Sequence, residues 1–212
     1  MTRRVKVAIL DYDAGNVRSA RRGFDAAGAE AKITRDPTEA AAADALVIPG
    51  VGHFASCLAN LKASGLTAVL RDAIEAQRPV FGICVGMQLL YGHSQEGNSE
   101  GLGLLPGVVT RFSPGIRVPH MGWDVVTPTN HPDAARLLAK VEGERMYFAH
   151  SYYGVPHDDS HVVATTTYGG KSFPSMVVTG SVVGTQFHPE KSGAAGVMLL
   201  ANWLQSHAAN LS

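Results

Sequence analysis

The 212-residue chain has only two cysteines, Cys57 and Cys84, and they form no C-x-x-C pair. Neither a disulfide framework nor a thiolate zinc site is suggested, so each cysteine has to be read alone. Charge is also scarce. Only 17% of residues are Asp, Glu, Lys or Arg, against about a quarter in an average soluble chain. Eighteen basic residues balance eighteen acidic ones to a formal net charge of zero, so no global field concentrates nucleic acid or an anionic membrane on this surface. Long apolar runs are missing as well. After Arg3 and Arg4 the run Val5 to Leu10 ends at Asp11, too short for a signal-peptide core or a bilayer span. The expectation is a cytoplasmic protein with neither nucleic acid nor membrane as a partner. What is plentiful is apolar side chain, 45% of the residues. That is enough for a large core, and a chain of this length is expected to fold as one domain over residues 1–212.

Short apolar runs keep ending in turn chemistry: Val5 to Leu10 before Asp11, Ala45 to Ile48 before Pro49-Gly50, and Pro79 to Ile83 before Cys84. They read as buried parallel strands. Between them Val17, Ala20, Phe24 and Ala27, then Leu66, Val69, Leu70, Ala73 and Ile74, recur at helical spacing. The alternation predicts an α/β fold with an open, mostly parallel central sheet and helices on both faces, its chemistry at the carboxyl ends of the strands. The second half carries short β-rich pieces at Val108 to Arg111, Trp123 to Val126, Met146 to Ala149, Val162 to Thr167 and Ser175 to Phe187, which predict an additional antiparallel region. Gly196 to Gln205 reads as a closing amphipathic helix. The glycine-rich stretch from Gly92 to Gly107 reads as the least ordered loop.

The strongest local pattern is Gly82-Ile83-Cys84-Val85-Gly86 after the strand and before a helical stretch. Glycines two before and two after a nucleophile allow a turn sharp enough to hold its side chain above the sheet. Helix-start N–H groups favour a thiolate there. An ordinary thiol, with a pKa of about 8.5, also needs a base. On the pentapeptide alone an inert buried cysteine fits equally well. The apolar strand ending in His188-Pro189-Glu190 changes that balance. Glu190 can hold one ring nitrogen of His188 while the other takes the thiol proton. The N–H of Val85 stands where an oxyanion would need a donor. A second donor can come from Pro49-Gly50-Val51-Gly52, although an ordinary strand-to-helix turn reads the same.

Three segments, Pro49-Gly50-Val51-Gly52-His53-Phe54, Gly82-Ile83-Cys84-Val85-Gly86-Met87-Gln88 and Gln186-Phe187-His188-Pro189-Glu190-Lys191-Ser192, resemble the signatures of class I, triad-type glutamine amidotransferases. Asp11 to Asn16, Pro119 to Trp123 and Phe148 to Tyr152 extend the resemblance over nearly the whole chain. It implies that Cys84 attacks the glutamine carboxamide, with His188 as base and then acid and Glu190 holding His188. It also implies that Val51 and Val85 line the oxyanion hole, and that Gly52, Gln88, Ser151 and Tyr152 contact glutamine. Ammonia would pass to a separate (β/α)₈ cyclase subunit that closes imidazole glycerol phosphate and releases an aminoimidazole carboxamide ribotide in histidine biosynthesis. That cyclase would dock over the site, with Asn16, Met121, Trp123 and Lys191 at the interface and its bound nucleotide activating hydrolysis. No metal or organic cofactor is implied. Two residues depart from the family pattern: Asp13 stands where glycine is expected and Val85 where leucine is expected.

Other patterns are weaker. Taken without the resemblance, Trp123 near Met121 reads more readily as core than as interface. The opening Asp11-Tyr12-Asp13 resembles the D-x-D of haloacid-dehalogenase phosphatases but lacks their companion threonine. His157 and His161 have metal-ligand spacing within a polar run that reads as a solvated loop.

Overall fold

The structure, a computed structural model, describes residues 3–208. In chain order its elements are β1 (Lys6–Leu10), α1 (Val17–Ala26), β2 (Glu30–Thr34), α2 (Pro37–Ala41), β3 (Ala45–Ile48), α3 (Phe54–Ala63), α4 (Leu66–Glu75), β4 (Val80–Ile83), α5 (Val85–Gln88), β5 (Tyr91–Ser94), β6 (Ser99–Glu100) and β7 (Leu105–Arg111). They continue with β8 (His120–Val125), β9 (Thr127–Pro128), α6 (Ala134–Leu137), β10 (Arg145–His150), β11 (Tyr152–Pro156), β12 (Val162–Tyr168), β13 (Lys171–Thr179), β14 (Val182–Thr185) and α7 (Gly193–Ala208).

The main sheet has eight strands in the order β2-β1-β3-β4-β14-β13-β12-β9. The first five run parallel, and β13, β12 and β9 extend the sheet antiparallel. The β3, β4 and β14 strands are buried at every position, which is why each reads as an unbroken apolar run rather than an alternating one. Phe24 on α1, Phe81 on β4 and Trp203 on α7 meet edge to face at centroid separations of 5.2–5.9 Å, so both helices cover the same face of the sheet. The α2, α3 and α4 helices pack on one another as a second helical layer. Asp36 caps α2 by accepting from the Thr38 N–H at 2.8 Å, with Pro37 opening the first turn.

Several expectations change in the structure. The piece from Ser175 to Phe187 is a hairpin: Gly180, at φ +56°, reverses the chain between β13 and β14. The β14 strand is then parallel to β4, so it belongs to the central sheet rather than to the antiparallel region. The glycine-rich stretch after residue 91 is not loose. It holds β5, a 3₁₀ turn at Glu96–Asn98 and β6, and with β7 and β11 these strands make a four-stranded sheet. The helix after Cys84 is a single turn, too short for a large dipole, so any stabilisation of a thiolate there comes from local N–H groups.

Asp13 sits at φ +61°, in the left-handed region where glycine is most at ease. Aspartate is among the few other residues that enter it. Arg35 holds the turn by donating to both Asp11 and Asp13. The D-x-D pair is thus engaged in an ion-pair clasp.

Candidate active site

Cys84 and His188 come together because β4 and β14 are parallel neighbours and both residues follow the carboxyl ends of those strands. The Cys84 N–H donates to the Thr185 carbonyl at 2.7 Å, which ties the two strand ends. Cys84 itself adopts φ +52° and ψ −113°, a strained conformation for a side-chain-bearing residue and the mark of a nucleophile elbow. The flanking glycines answer a different need. A Cβ at Gly86 would stand 1.8 Å from the Ile48 carbonyl oxygen, and one at Gly82 would stand 2.7 Å from the Met87 Cα. Close backbone approach, not a left-handed φ, requires glycine at both.

His188 is fixed by its backbone, whose N–H donates to the Tyr147 carbonyl at 2.8 Å. Its Nδ1 lies 2.9 Å from Glu190 Oε1, and both side chains are buried. A carboxylate only accepts, so Nδ1 carries the proton and Nε2 is left for the Cys84 sulfur. Burial opposes charging of the ring, but the Cys84 sulfur and the Glu190 carboxylate outweigh it and raise the His188 pKa to about 10. Asn16, at φ +61° in the turn between β1 and α1, also donates to Glu190 Oε1. The side chain expected at a partner interface therefore supports the carboxylate that holds His188.

In front of the sulfur is a cavity of about 450 Å³. Its walls include Cys84, His188, Val51, Gly52, Val85, Gln88, Ser151 and Tyr152, together with Asn16, Met121 and Lys191 at the mouth. Glu190 lies behind His188 instead of in the wall, and Trp123 lies beside the opening against Tyr147, with ring centroids 5.9 Å apart. Gln88 donates to the Tyr152 carbonyl at 2.9 Å and to Gln186 Oε1 at 3.0 Å. Gln186 Nε2 in turn lies 3.5 Å from Cys84 Sγ. Glu96, which lines the cavity, and Gln186, which reaches the sulfur, are groups to which the sequence reading gives no role. Glu96, inside the glycine-rich stretch, accepts from the Phe54 N–H at 2.7 Å and ties that stretch to the start of α3.

The two oxyanion candidates differ. The Val85 N–H opens a helical turn and has no intrahelical acceptor. The Val51 N–H is already donated to the Ala14 carbonyl at 3.1 Å. The loop is held further by Tyr12, whose hydroxyl donates to the Pro49 carbonyl, and by the Cys57 thiol, 3.5 Å from the Val51 carbonyl. Burial, with Glu96 and Cys84 nearby, pushes the Cys57 thiol up to about 11, so it stays protonated as a donor.

The rim of the site is set by the β8–β10 pair, in which Met121 opposes Ala149 and Trp123 opposes Tyr147. Strand alternation sends His120 inward and Met121, Trp123 and Val125 outward, at 65%, 49% and 37% exposure. The apolar face of this strand is therefore the solvent face, contrary to the core reading of Trp123. Lys191 lies 5.8 Å from the centroid of the Tyr147 ring beside it. Among the described residues no cluster of three or more His, Cys, Asp or Glu side chains is arranged to hold a metal, and no helix is long and apolar enough to cross a membrane.

The family model described as glutamine amidotransferase class-I matches residues 8–205. The chain is a class I glutamine amidotransferase. Among curated relatives, the amidotransferase is 44% identical to imidazole glycerol phosphate synthase subunit HisH from Synechococcus sp. strain JA-3-3Ab over 98% of its own length and 96% of the relative's. It is 44% identical to the protein of the same name from Halobacterium salinarum, with 95% and 94% covered. A crystal structure titled as a glutamine amidotransferase superposes with a TM-score of 0.74 at 20% identity, covering 96% of this chain and 98% of that one. At that identity the likeness concerns the fold, an α/β amidotransferase architecture around a mostly parallel sheet.

Proposed function

We propose that this chain is the glutaminase subunit of an imidazole glycerol phosphate synthase, hydrolysing glutamine and passing ammonia to a cyclase subunit in histidine biosynthesis. The observation that supports this reading most directly is the cavity in which Cys84 and His188 face one space, with Glu190 buried behind His188 and Asn16 bonded to it.

In this reading His188 Nε2 takes the Cys84 thiol proton, and the sulfur attacks the side-chain carbonyl carbon of glutamine. The oxyanion forms against the Val85 N–H. His188 returns the proton to the leaving amide nitrogen, which departs as ammonia and leaves a glutamyl thioester. Water, deprotonated by His188, attacks the thioester, and glutamate leaves with the thiol restored. Gly52, Gln88, Ser151 and Tyr152 position the substrate, and the Glu96 carboxylate is suited to its α-ammonium group. Val51 becomes the second oxyanion donor once its N–H leaves the Ala14 carbonyl.

That requirement explains why hydrolysis would depend on a partner. Ala14 lies in the turn that ends at Asn16, and Asn16 lines the cavity together with the exposed Met121. An apolar patch at that position, rimmed by Lys191, suits a protein interface. We place the protein in the cytoplasm, where its two free cysteines fit a reducing compartment.

The test is glutamate release from glutamine by the chain alone, then with the cyclase subunit and its nucleotide ligand, with Cys84→Ala as control. The expected result is cysteine-dependent release that rises in the liganded complex. Release that persists in Cys84→Ala, or no release in the verified complex, would overturn the assignment.

A further inference from the structure

Beneath the outward face of β8 lies a buried polar chain that the mechanism above does not use. His120 Nε2 is 2.6 Å from Asp124 Oδ2, His120 Nδ1 is 3.1 Å from His150 Nε2, and His150 Nδ1 is 2.8 Å from the Tyr152 carbonyl oxygen. His120 is 1% exposed and His150 6%. The same Tyr152 carbonyl accepts from Gln88, which bonds Gln186, which reaches Cys84 Sγ. Hydrogen bonds therefore run without a break from the strand that carries Trp123 to the nucleophilic sulfur.

A proton count gives this chain its character. The Tyr152 carbonyl and the Asp124 carboxylate can only accept, so His150 Nδ1 and His120 Nε2 must both donate. The contact between the rings needs a third N–H. Two neutral imidazoles hold only two protons, so all three bonds exist together only when the pair carries one extra proton, balanced by Asp124. We propose that Asp124, His120 and His150 form a one-proton relay that positions the Tyr152 carbonyl, and through it Gln88, for glutamine binding. These are positioning residues, and the inference rests on the glutaminase reading of the cavity.

Burial lowers the pKa of both rings. His150 falls to about 3, with His120 adding to the effect, whereas at His120 the Asp124 carboxylate opposes the fall. The extra proton therefore rests on His120, against Asp124. Three other titratable or charged groups face the relay. Tyr168 stacks on His120 at a centroid separation of 4.0 Å with its hydroxyl on the Arg117 carbonyl, Arg145 Nη1 lies 3.9 Å from Asp124 Oδ1, and His188 acts on His150 electrostatically. The rest of the surround is aromatic, led by Phe112, Phe148 and Phe173. As pH rises through the lowered imidazole range the relay empties and one bond is lost. Asparagine at position 124 removes this dependence, because its amide NH₂ donates to His120 Nε2 and a neutral pair then satisfies every contact.

The experiment measures the KM for glutamine in the wild-type and Asp124→Asn complexes with the cyclase from about pH 4 to 8, with histidine ¹⁵N NMR of the same proteins. The wild-type KM should rise about threefold to tenfold across that range, the effect of one buried hydrogen bond. In Asp124→Asn it should stay flat. The nitrogen shifts should show a single imidazolium, at His120, on the acid side in wild type and two neutral rings in the variant. Parallel KM profiles in the two proteins, or two neutral rings throughout in wild type, would overturn the relay. Absence of glutamate release at every pH would instead overturn the glutaminase reading, and the NMR would still decide the proton count.

Discussion

Replacing Gly86 with alanine tests whether the elbow depends on close backbone approach. The added methyl would stand 1.8 Å from the Ile48 carbonyl oxygen and 2.7 Å from its carbon, whereas ordinary contact begins at about 3.5 Å. The obstruction is backbone at a buried strand end, so no side-chain rotation relieves it, and α5 must move away from β3 by more than an ångström. Overpacking of this kind costs about 3 kcal/mol, a fall of about 6–12 °C in Tm for a chain of this size. Activity should suffer more than stability. Gly50 packs on the Gly86 nitrogen so closely that a Cβ there would meet it at 2.3 Å, so the shift displaces the loop at 49–52 and Cys84 together. A misplacement of about 1 Å at reacting atoms costs about a hundredfold in rate. Gly92→Ala is the control, because its new methyl meets nothing nearer than the Gly107 carbonyl oxygen at 3.8 Å. Thermal unfolding and kcat for glutamate release, measured on both variants, decide the matter. A Gly86→Ala protein with wild-type Tm and kcat would refute the steric account of the elbow.

Three further outcomes follow from the same geometry. Trp123→Ala should leave Tm within about 1 °C, since the side chain is half exposed, but weaken association with the cyclase at least tenfold by calorimetry; a large loss of Tm with unchanged affinity would return Trp123 to a packing role. Phe24→Ala should destabilise the fold by about 3–5 kcal/mol in denaturant titration, because Phe24 is fully buried between Phe81 and Trp203. The His188 pKa is raised to about 10 in the folded protein. The stability contributed by its charged form is therefore complete below the ordinary imidazole pKa of about 6.5 and is lost as pH rises toward about 10. Glu190→Gln keeps a hydrogen-bond acceptor but removes the charge, so the fall in Tm with rising pH should end at a lower pH. An unchanged Tm–pH curve would show that Glu190 does not hold that proton.

Much of the site could be read locally because its chemistry is written in contiguous segments. The strand, Cys84 and its two glycines form one such segment, and His188-Pro189-Glu190 another. Each carries its own geometry: strand ends deliver side chains to the same edge of a parallel sheet, and proline restricts the residue before it. Gln186 and Glu96 were missed because their roles depend on partners remote in sequence, Cys84 and the Phe54 N–H. The hairpin at Gly180 was missed because an unbroken β-rich run conceals a two-residue reversal.

The strand His120–Val125 marks the boundary between what the sequence determines and what the fold decides. Its apolar residues fall at odd positions, and by local pattern alone that face would be buried. In the tertiary structure the polar face is the buried one, because His120 finds His150, Asp124 and a cage of aromatic rings that satisfy it. Met121, Trp123 and Val125 are left in solvent. By itself the sequence determined the alternation of strand and helix in the first half and which segments carry Cys84, His188 and Glu190 to strand ends, since these follow from propensity, turn chemistry and short-range spacing. Which face of β8 points inward, that Asn16 serves Glu190, and that the Val51 N–H rests on Ala14 were decided only by tertiary packing. Burial, and the demand that every buried polar group find a partner, are properties of the assembled chain and not of any segment.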